Sequence, residues 1–223
     1  MYKKIKGDFM LFKTIPTLLI SPNLYSVCTK YVNFYIYKDD KFAICFDTGF
    51  GISKVEKELQ KIQISPEEIT HIFLTHSDRD HVEGIKLFSK AKVYVSKLEV
   101  PLMNGEIKRS PLTKNPKLEC DYVELSDEEI ITIGSLKIKA ISTPGHTIGS
   151  MSYLLNDNIL FAGDAFVLKK DKAIAGSKFL SMNRKIQNES IMKLSKLENI
   201  SLVCTCHTGI SKNFDSIMKD WKI

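Results

Sequence analysis

Clustered and alternating apolar positions divide the chain into short strand runs and a few helical stretches. Residues 32–37 and 42–46 are rich in β-branched and aromatic side chains, and Lys38, Asp39, Asp40 and Lys41 separate them, so the pair reads as a hairpin. Runs of the same kind predict strands at 72–74, 92–96, 130–133, 136–142, 150–155, 159–162 and 202–205, with Asn156, Asp157 and Asn158 as a tight turn. Val55, Leu59 and Ile62 recur at helical spacing across 53–62, and Ser65-Pro66-Glu67-Glu68 opens a second short helical turn. Val82, Ile85 and Phe88 predict a helix directly after the 72–74 strand. Ile191, Leu194 and Leu197 mark another over 184–198, and a short helix closes the chain near Trp221. The stretch from 101 to 121, with Pro101, Gly105, Pro111 and Pro116, reads as an irregular loop. Strands that alternate with helices twice over suit a layered α/β structure.

Bulk properties narrow the class. A chain of 223 residues, 43% hydrophobic and 26% charged, is long enough for one sizeable core and short for two, so a single domain over 1–223 is expected. Lys3, Lys4 and Lys6 precede an apolar stretch that superficially resembles an export signal, but Asp8, Lys13 and Pro16 interrupt it and no small-residue cleavage site follows. A first pair of strands within the first twenty residues fits better. No stretch reaches the roughly 18 apolar residues that a membrane span needs. The five cysteines, at 28, 45, 120, 204 and 206, are odd in number and lack a framework spacing, so a reducing, cytoplasmic compartment is expected. The formal charge of +6 mildly favours anionic partners. Its lysines alternate with acids, however, as in 54–68, which describes a solvated surface rather than a nucleic-acid footprint. The expected partner is a small-molecule substrate, with an anionic one in keeping with the charge. No signal for an oligomeric state is present.

Candidate chemistry gathers at strand ends. His76, His81, His146 and His207 follow predicted strands, as do Asp78, Asp80 and Asp164. A rigid sheet fixes the base of each such loop, and imidazoles and carboxylates are the donors that zinc, iron and manganese accept. His76 and Asp78 alternate in an extended turn and can point at one ion. Asp80 and His81 begin the next helix and can face a second. Asp at a helix start is favoured by the helix dipole alone, but two His and two Asp within six positions after an apolar strand outweigh that reading.

The run Thr75-His76-Ser77-Asp78-Arg79-Asp80-His81-Val82-Glu83-Gly84 resembles the His-x-His-x-Asp-His-x-x-Gly signature of the metallo-β-lactamase superfamily. Phe46-Asp47-Thr48-Gly49, Thr143-Pro144-Gly145-His146-Thr147-Ile148-Gly149-Ser150, Leu160-Phe161-Ala162-Gly163-Asp164 and, more loosely, Cys206-His207-Thr208-Gly209 resemble its other landmarks, in order. The resemblance implies a four-layer αββα sandwich, two mixed sheets flanked by helices, with a dinuclear metal site in a cleft at the sheet edge. It implies His76, Asp78 and His146 around a first metal, Asp80, His81 and His207 around a second, and Asp164 bridging. Two divalent ions, zinc first and iron or manganese as alternatives, would generate a hydroxide nucleophile. Asp80 would also orient that nucleophile, and Asp47 would support the site from behind a ligand.

Asp78 departs from the pattern, which has histidine there. Its carboxylate adds one negative charge and a harder donor, a shift toward iron or manganese. The expected function is cleavage of a small ester, thioester, lactone or phosphodiester. The alternatives are a di-iron oxidoreductase resembling the metal domain of flavodiiron proteins, or a metal-binding sensor with a degenerate site. Lys169, Lys178 and Arg184, after the Asp164 strand, are the candidate cations for an anionic substrate. Cys204 and Cys206 read as core residues rather than thiolate ligands, and His71, inside a strand, as structural.

Overall fold

Two mixed sheets lie face to face, and each carries helices on its outer side. The computed structural model describes residues 12–111 and 114–222. The first sheet runs in chain order: β1 (Leu18–Ser21), β2 (Leu24–Thr29), β3 (Val32–Lys38), β4 (Ala43–Phe46), β5 (Ile69–Phe73), β6 (Lys92–Ser96) and β7 (Tyr122–Leu125). Its first four strands pair antiparallel and its last four parallel. The second contains β8 (Ile130–Ile133), β9 (Leu136–Ser142), β10 (Met151–Leu155) and β11 (Ile159–Gly163). A hairpin, β12 (Val167–Lys169) and β13 (Lys172–Ile174), stands apart before β14 (Leu202–Thr205) and β15 (Gly209–Ser211) complete that sheet in the order β15-β14-β11-β10-β9-β8. The helices are α1 (Ile52–Lys61), α2 (Arg79–Val82), α3 (Val100–Met103), α4 (Arg184–Leu194) and α5 (Phe214–Met218).

Side chains alternate across each strand, and that alternation builds three apolar layers. Between the sheets, Leu24, Tyr35, Phe46 and Phe73 of one meet Ile138, Tyr153, Phe161 and Cys204 of the other. The opposite faces of the first sheet, including Phe34, Ile36, Cys45 and Ile72, bury Val55 and Leu59 of α1 and Val82 of α2. Ile141, Leu154, Leu160 and Val203 do the same for Ile191 and Leu194 of α4 and Phe214 and Ile217 of α5. The result is the expected αββα sandwich. No helix among the described residues is long and apolar enough to cross a membrane.

The structure revises several local expectations. The helix expected through Val82, Ile85 and Phe88 ends as α2 and continues as a tight 3₁₀ turn over Glu83–Leu87. Gly84 sits so close to the turn after β4 that a Cβ there would lie 2.1 Å from the Thr48 carbonyl oxygen, and this docking bends the chain off a straight helix. The 101–121 loop begins with the single turn of α3, and β2, β7, the β12–β13 hairpin and β15 are additional strands. Of the strand pair expected in the first twenty residues, positions 1–11 lie outside the described residues. Residues 12–17 carry no strand, and β1 begins at Leu18.

Candidate metal centre

The site residues all leave from the same edge of the sandwich. Asp47 follows β4, Thr75 to Asp78 follow β5, His146 lies in the turn between β9 and β10, Asp164 follows β11 and His207 follows β14. Asp80 and His81 are carried by α2. Four backbone and side-chain bonds between the sheets fix these strand ends. Tyr35 donates to the Thr205 carbonyl at 2.8 Å and Tyr153 to the Leu74 carbonyl at 2.7 Å, while Met151 N donates to Thr75 O and Asn33 N to Cys206 O.

The turn after β4 orients the first histidine pair. Asp47 holds a left-handed backbone, φ 63°, and is fully buried. Its carboxylate accepts from Thr75 N and Oγ1, at 2.7 and 2.8 Å, and stands 2.8 Å from His81 Nδ1. Thr48 completes the dock, its N–H and hydroxyl both donating to the His81 carbonyl. With Nδ1 occupied, His81 presents Nε2 to the cluster. Cys206 lies behind the imidazole, its Sγ 3.4 Å from Asp47 Oδ2, and burial pushes the thiol pKa up. It therefore packs as a neutral thiol on the rear of the site.

In front, two groups of donors share Asp164. His76, His146 and Asp164 form one, with each donor atom within 4.8 Å of the others, and Asp80, His81 and His207 form the second. Asp164 joins them: its Oδ2 lies 3.5 Å from His146 Nε2 and 3.2 Å from His207 Nε2, and its Oδ1 is 3.8 Å from His81 Nε2. Asp80 Oδ2 stands 3.5 Å from His207 Nε2. Asp78 Oδ2 stands 3.1 Å from His146 Nε2 and 3.5 Å from His76 Nε2, facing the cluster.

Electrostatics match this geometry. Burial alone would raise the Asp164 pKa, but His207, His81 and His146 bring it well below the ordinary carboxylate value. Asp78 is likewise held low against burial, by its hydrogen bond to His146 and by the nearby His76 imidazole. Burial opposes charge on His81 and His207, yet Asp47, Asp80 and Asp164 raise the first, and chiefly Asp164 the second. His146 moves the other way, its pKa lowered by burial.

The donors fit divalent metal ions. His76 Nε2, His81 Nε2 and Asp164 Oδ1 are buried without a hydrogen-bond partner, and all three point into the cluster. An unpaired buried polar atom is costly, and three of them converging on one place suit a divalent cation. All are nitrogen or oxygen donors of the kind that zinc, iron and manganese accept.

Two residues absent from the sequence-based expectations shape this centre. Glu99 is fully buried and staples two ligand loops: Oε1 accepts from Ser77 N and Oγ, and Oε2 from Thr147 Oγ1 and Gly149 N. Arg109, from the stretch expected to be irregular loop, donates to Asp78 and to the Leu180 carbonyl. No motif marks either residue, because each acts through a contact between segments distant in sequence. A cavity of about 320 Å³ opens over the cluster, lined by Asp78, Asp80, Arg109, His146, Asp164 and His207 among others. Lys169, Lys178 and Arg184 are not among its lining residues, although Lys178 and Arg184 adjoin the lining segment from Gly176 to Ser181. Lys169 ends β12 at the surface, Lys178 lies over the Phe179 ring at 5.4 Å, and Arg184 donates to the Gly176 carbonyl.

Comparisons with known proteins agree with this architecture. The family model described as "Metallo-beta-lactamase superfamily" matches residues 29–200. A Bacillus subtilis protein named "Probable polyketide biosynthesis zinc-dependent hydrolase PksB" is 31% identical over 135 residues, 58% of this chain and 53% of that protein. A Methanocaldococcus jannaschii "Probable metallo-hydrolase" is 31% identical over 154 residues, 69% of this chain and 64% of the other. The match to PksB thus spans about half of that relative's length. Among solved structures, a subclass B3 metallo-β-lactamase described as having an active-site glutamic acid superposes with a TM-score of 0.71, at 17% identity, over 95% of this chain and 88% of its own.

Proposed function

The chain belongs to the metallo-β-lactamase superfamily, and from that premise we propose that it is a metal-dependent hydrolase cleaving a small ester, thioester, lactone or phosphodiester. The observation that carries this reading is the convergence of the unpartnered His76 Nε2, His81 Nε2 and Asp164 Oδ1 on one buried cluster beneath an open cavity. His76, Asp78 and His146 would hold one ion and Asp80, His81 and His207 the other, with Asp164 between them. Ions held there would activate a water as nucleophile near neutral pH and polarise the carbonyl or phosphoryl oxygen of the substrate. No serine or cysteine nucleophile is then needed, in keeping with the buried, neutral Cys206.

The chain's own residues do the positioning. Asp47 fixes the His81 ring, and the Tyr31 carbonyl, 2.8 Å from His207 Nδ1, fixes the His207 ring. Asp80 lines the cavity and is placed to hold the proton of an attacking water and aim its lone pair. Zinc is the first candidate for this nitrogen-rich set, and the extra carboxylate of Asp78 keeps iron and manganese as candidates. An odd number of cysteines without framework spacing favours a reducing compartment such as the cytoplasm.

Metal analysis of protein prepared without chelators, followed by a screen of esters, thioesters, lactones and phosphodiesters, tests this reading. His81→Ala and Asp164→Ala are each expected to lose bound metal and at least 100-fold in turnover, on the order of 3 kcal/mol of barrier. Normal turnover in either variant would sink the assignment.

A further inference from the structure

The two halves of the cluster differ in one respect that the ligand pattern does not reveal. Among the described residues, no lysine or arginine pairs with Asp80, His81, His207 or Asp164, whose ion-pair contacts are with one another and with Asp47 and His146. The other half already has a cation. Arg109 Nε donates to both Asp78 oxygens, at 2.9 and 3.1 Å, and Nη2 lies 3.2 Å from His146 Nε2 and 2.5 Å from the Leu180 carbonyl oxygen. The guanidinium thus occupies donors that a metal ion would need. An arginine side chain stays protonated throughout the accessible pH range.

This contact has a structural origin. Arg109 comes from the stretch between α3 and β7, and Leu180 from the segment between β13 and α4. Both line the 320 Å³ cavity and also an adjoining cleft of about 1150 Å³, so their hydrogen bond partitions the two. Asp78 supplies the negative charge that draws the guanidinium in. Histidine, the residue that the superfamily signature has at this position, would offer no carboxylate for the fork to grip.

We propose that Arg109 is an internal cation that makes the two metal positions unequal. The Asp80, His81 and His207 position, with Asp164, takes a divalent ion tightly. The His76, Asp78 and His146 position fills only by drawing Asp78 and His146 away from Arg109, against like-charge repulsion. The proposal rests on the metal-binding part of the functional reading and is independent of which bond is cleaved.

Titration of metal-free protein with zinc, against a competing chromophoric chelator and with bound metal counted by elemental analysis, tests it directly. Wild type is expected to fill in two steps, the second at least ten-fold weaker than the first. Arg109→Gln removes the charge and should tighten the second step at least ten-fold, leaving the first unchanged. Arg109→Lys retains the charge and should keep the second step weak. Circular dichroism and the melting temperature of both variants report whether the fold is retained. If Arg109→Gln is misfolded, Arg109→Met, uncharged and of similar length, takes its place with the same expectation. Two equal steps in wild type, or a second step unmoved or weakened in folded Arg109→Gln, would overturn the role of Arg109. Failure of wild type to bind zinc, iron or manganese at all would overturn the metal reading as well.

Discussion

Tyr35 and Tyr153 reach across the inter-sheet core in opposite directions, each donating its hydroxyl to the end of a ligand-bearing strand on the other sheet. Tyr35 on β3 bonds the Thr205 carbonyl, two residues before His207, and Tyr153 on β10 bonds the Leu74 carbonyl, two residues before His76. Both rings are buried among aromatic neighbours, which supply the apolar part of the contact. The hydroxyls couple the spacing of the sheets to the spacing of the histidines.

Tyr153→Phe keeps the ring and removes the donor from the buried Leu74 carbonyl. A loss of about 1–3 kcal/mol is expected, read from the midpoint of urea unfolding at constant slope. A variant as stable as the parent would mean that the hydroxyl contributes nothing net.

Glu99→Gln should be more damaging at the metal centre. Four donors converge on this carboxylate from the Ser77 and Thr147–Gly149 loops, and an amide would turn an NH₂ group toward some of them. Stability should fall by roughly 2–3 kcal/mol. Metal affinity should fall about ten-fold, as for other residues that orient ligands. Chelator competition measures the second effect. Unchanged affinity would reduce Glu99 to a purely structural role.

Glu58 predicts a pH dependence separate from the metal site. It lies on the buried face of α1, 3% exposed. Burial opposes its charge, but hydrogen bonds from Lys54, Lys61 and Thr17 lower its pKa from 4.5 to about 2. A carboxylate with a depressed folded-state pKa stabilises the fold above its unfolded pKa, and that contribution fades as pH falls from about 4.5 toward 2. Because Lys54 and Lys61 are solvated, screening reduces it to about 1–2 kcal/mol. Urea unfolding of wild type and Glu58→Gln between pH 6 and pH 3 should show the gap closing on the acid side. A gap independent of pH would contradict the assignment.

The sequence went far toward the fold and the donor set because both depend on local patterns. The alternation in 32–37 and 42–46 tells each strand which face to bury, and the resulting β3 and β4 match it closely. The six-residue run from His76 to His81 names its donors without any tertiary information, and β5 and α2 place them at one sheet edge. Strand β2, by contrast, has no legible alternation, because Ser26 and Thr29 are polar side chains buried by long-range packing.

Tertiary structure alone decided what surrounds the donors. Asp78 and Arg109 are 31 positions apart, Ser77 and Glu99 are 22 apart, and Asp78 and His146 are 68 apart. No periodicity links such pairs, since their contacts depend on how loops from two sheets meet at one edge. Local pattern was enough to specify a cluster of imidazoles and carboxylates and the family whose signature it resembles. The meeting of those loops decided that Asp78 faces the cluster with a guanidinium already on it, a charge balance that no local pattern encodes.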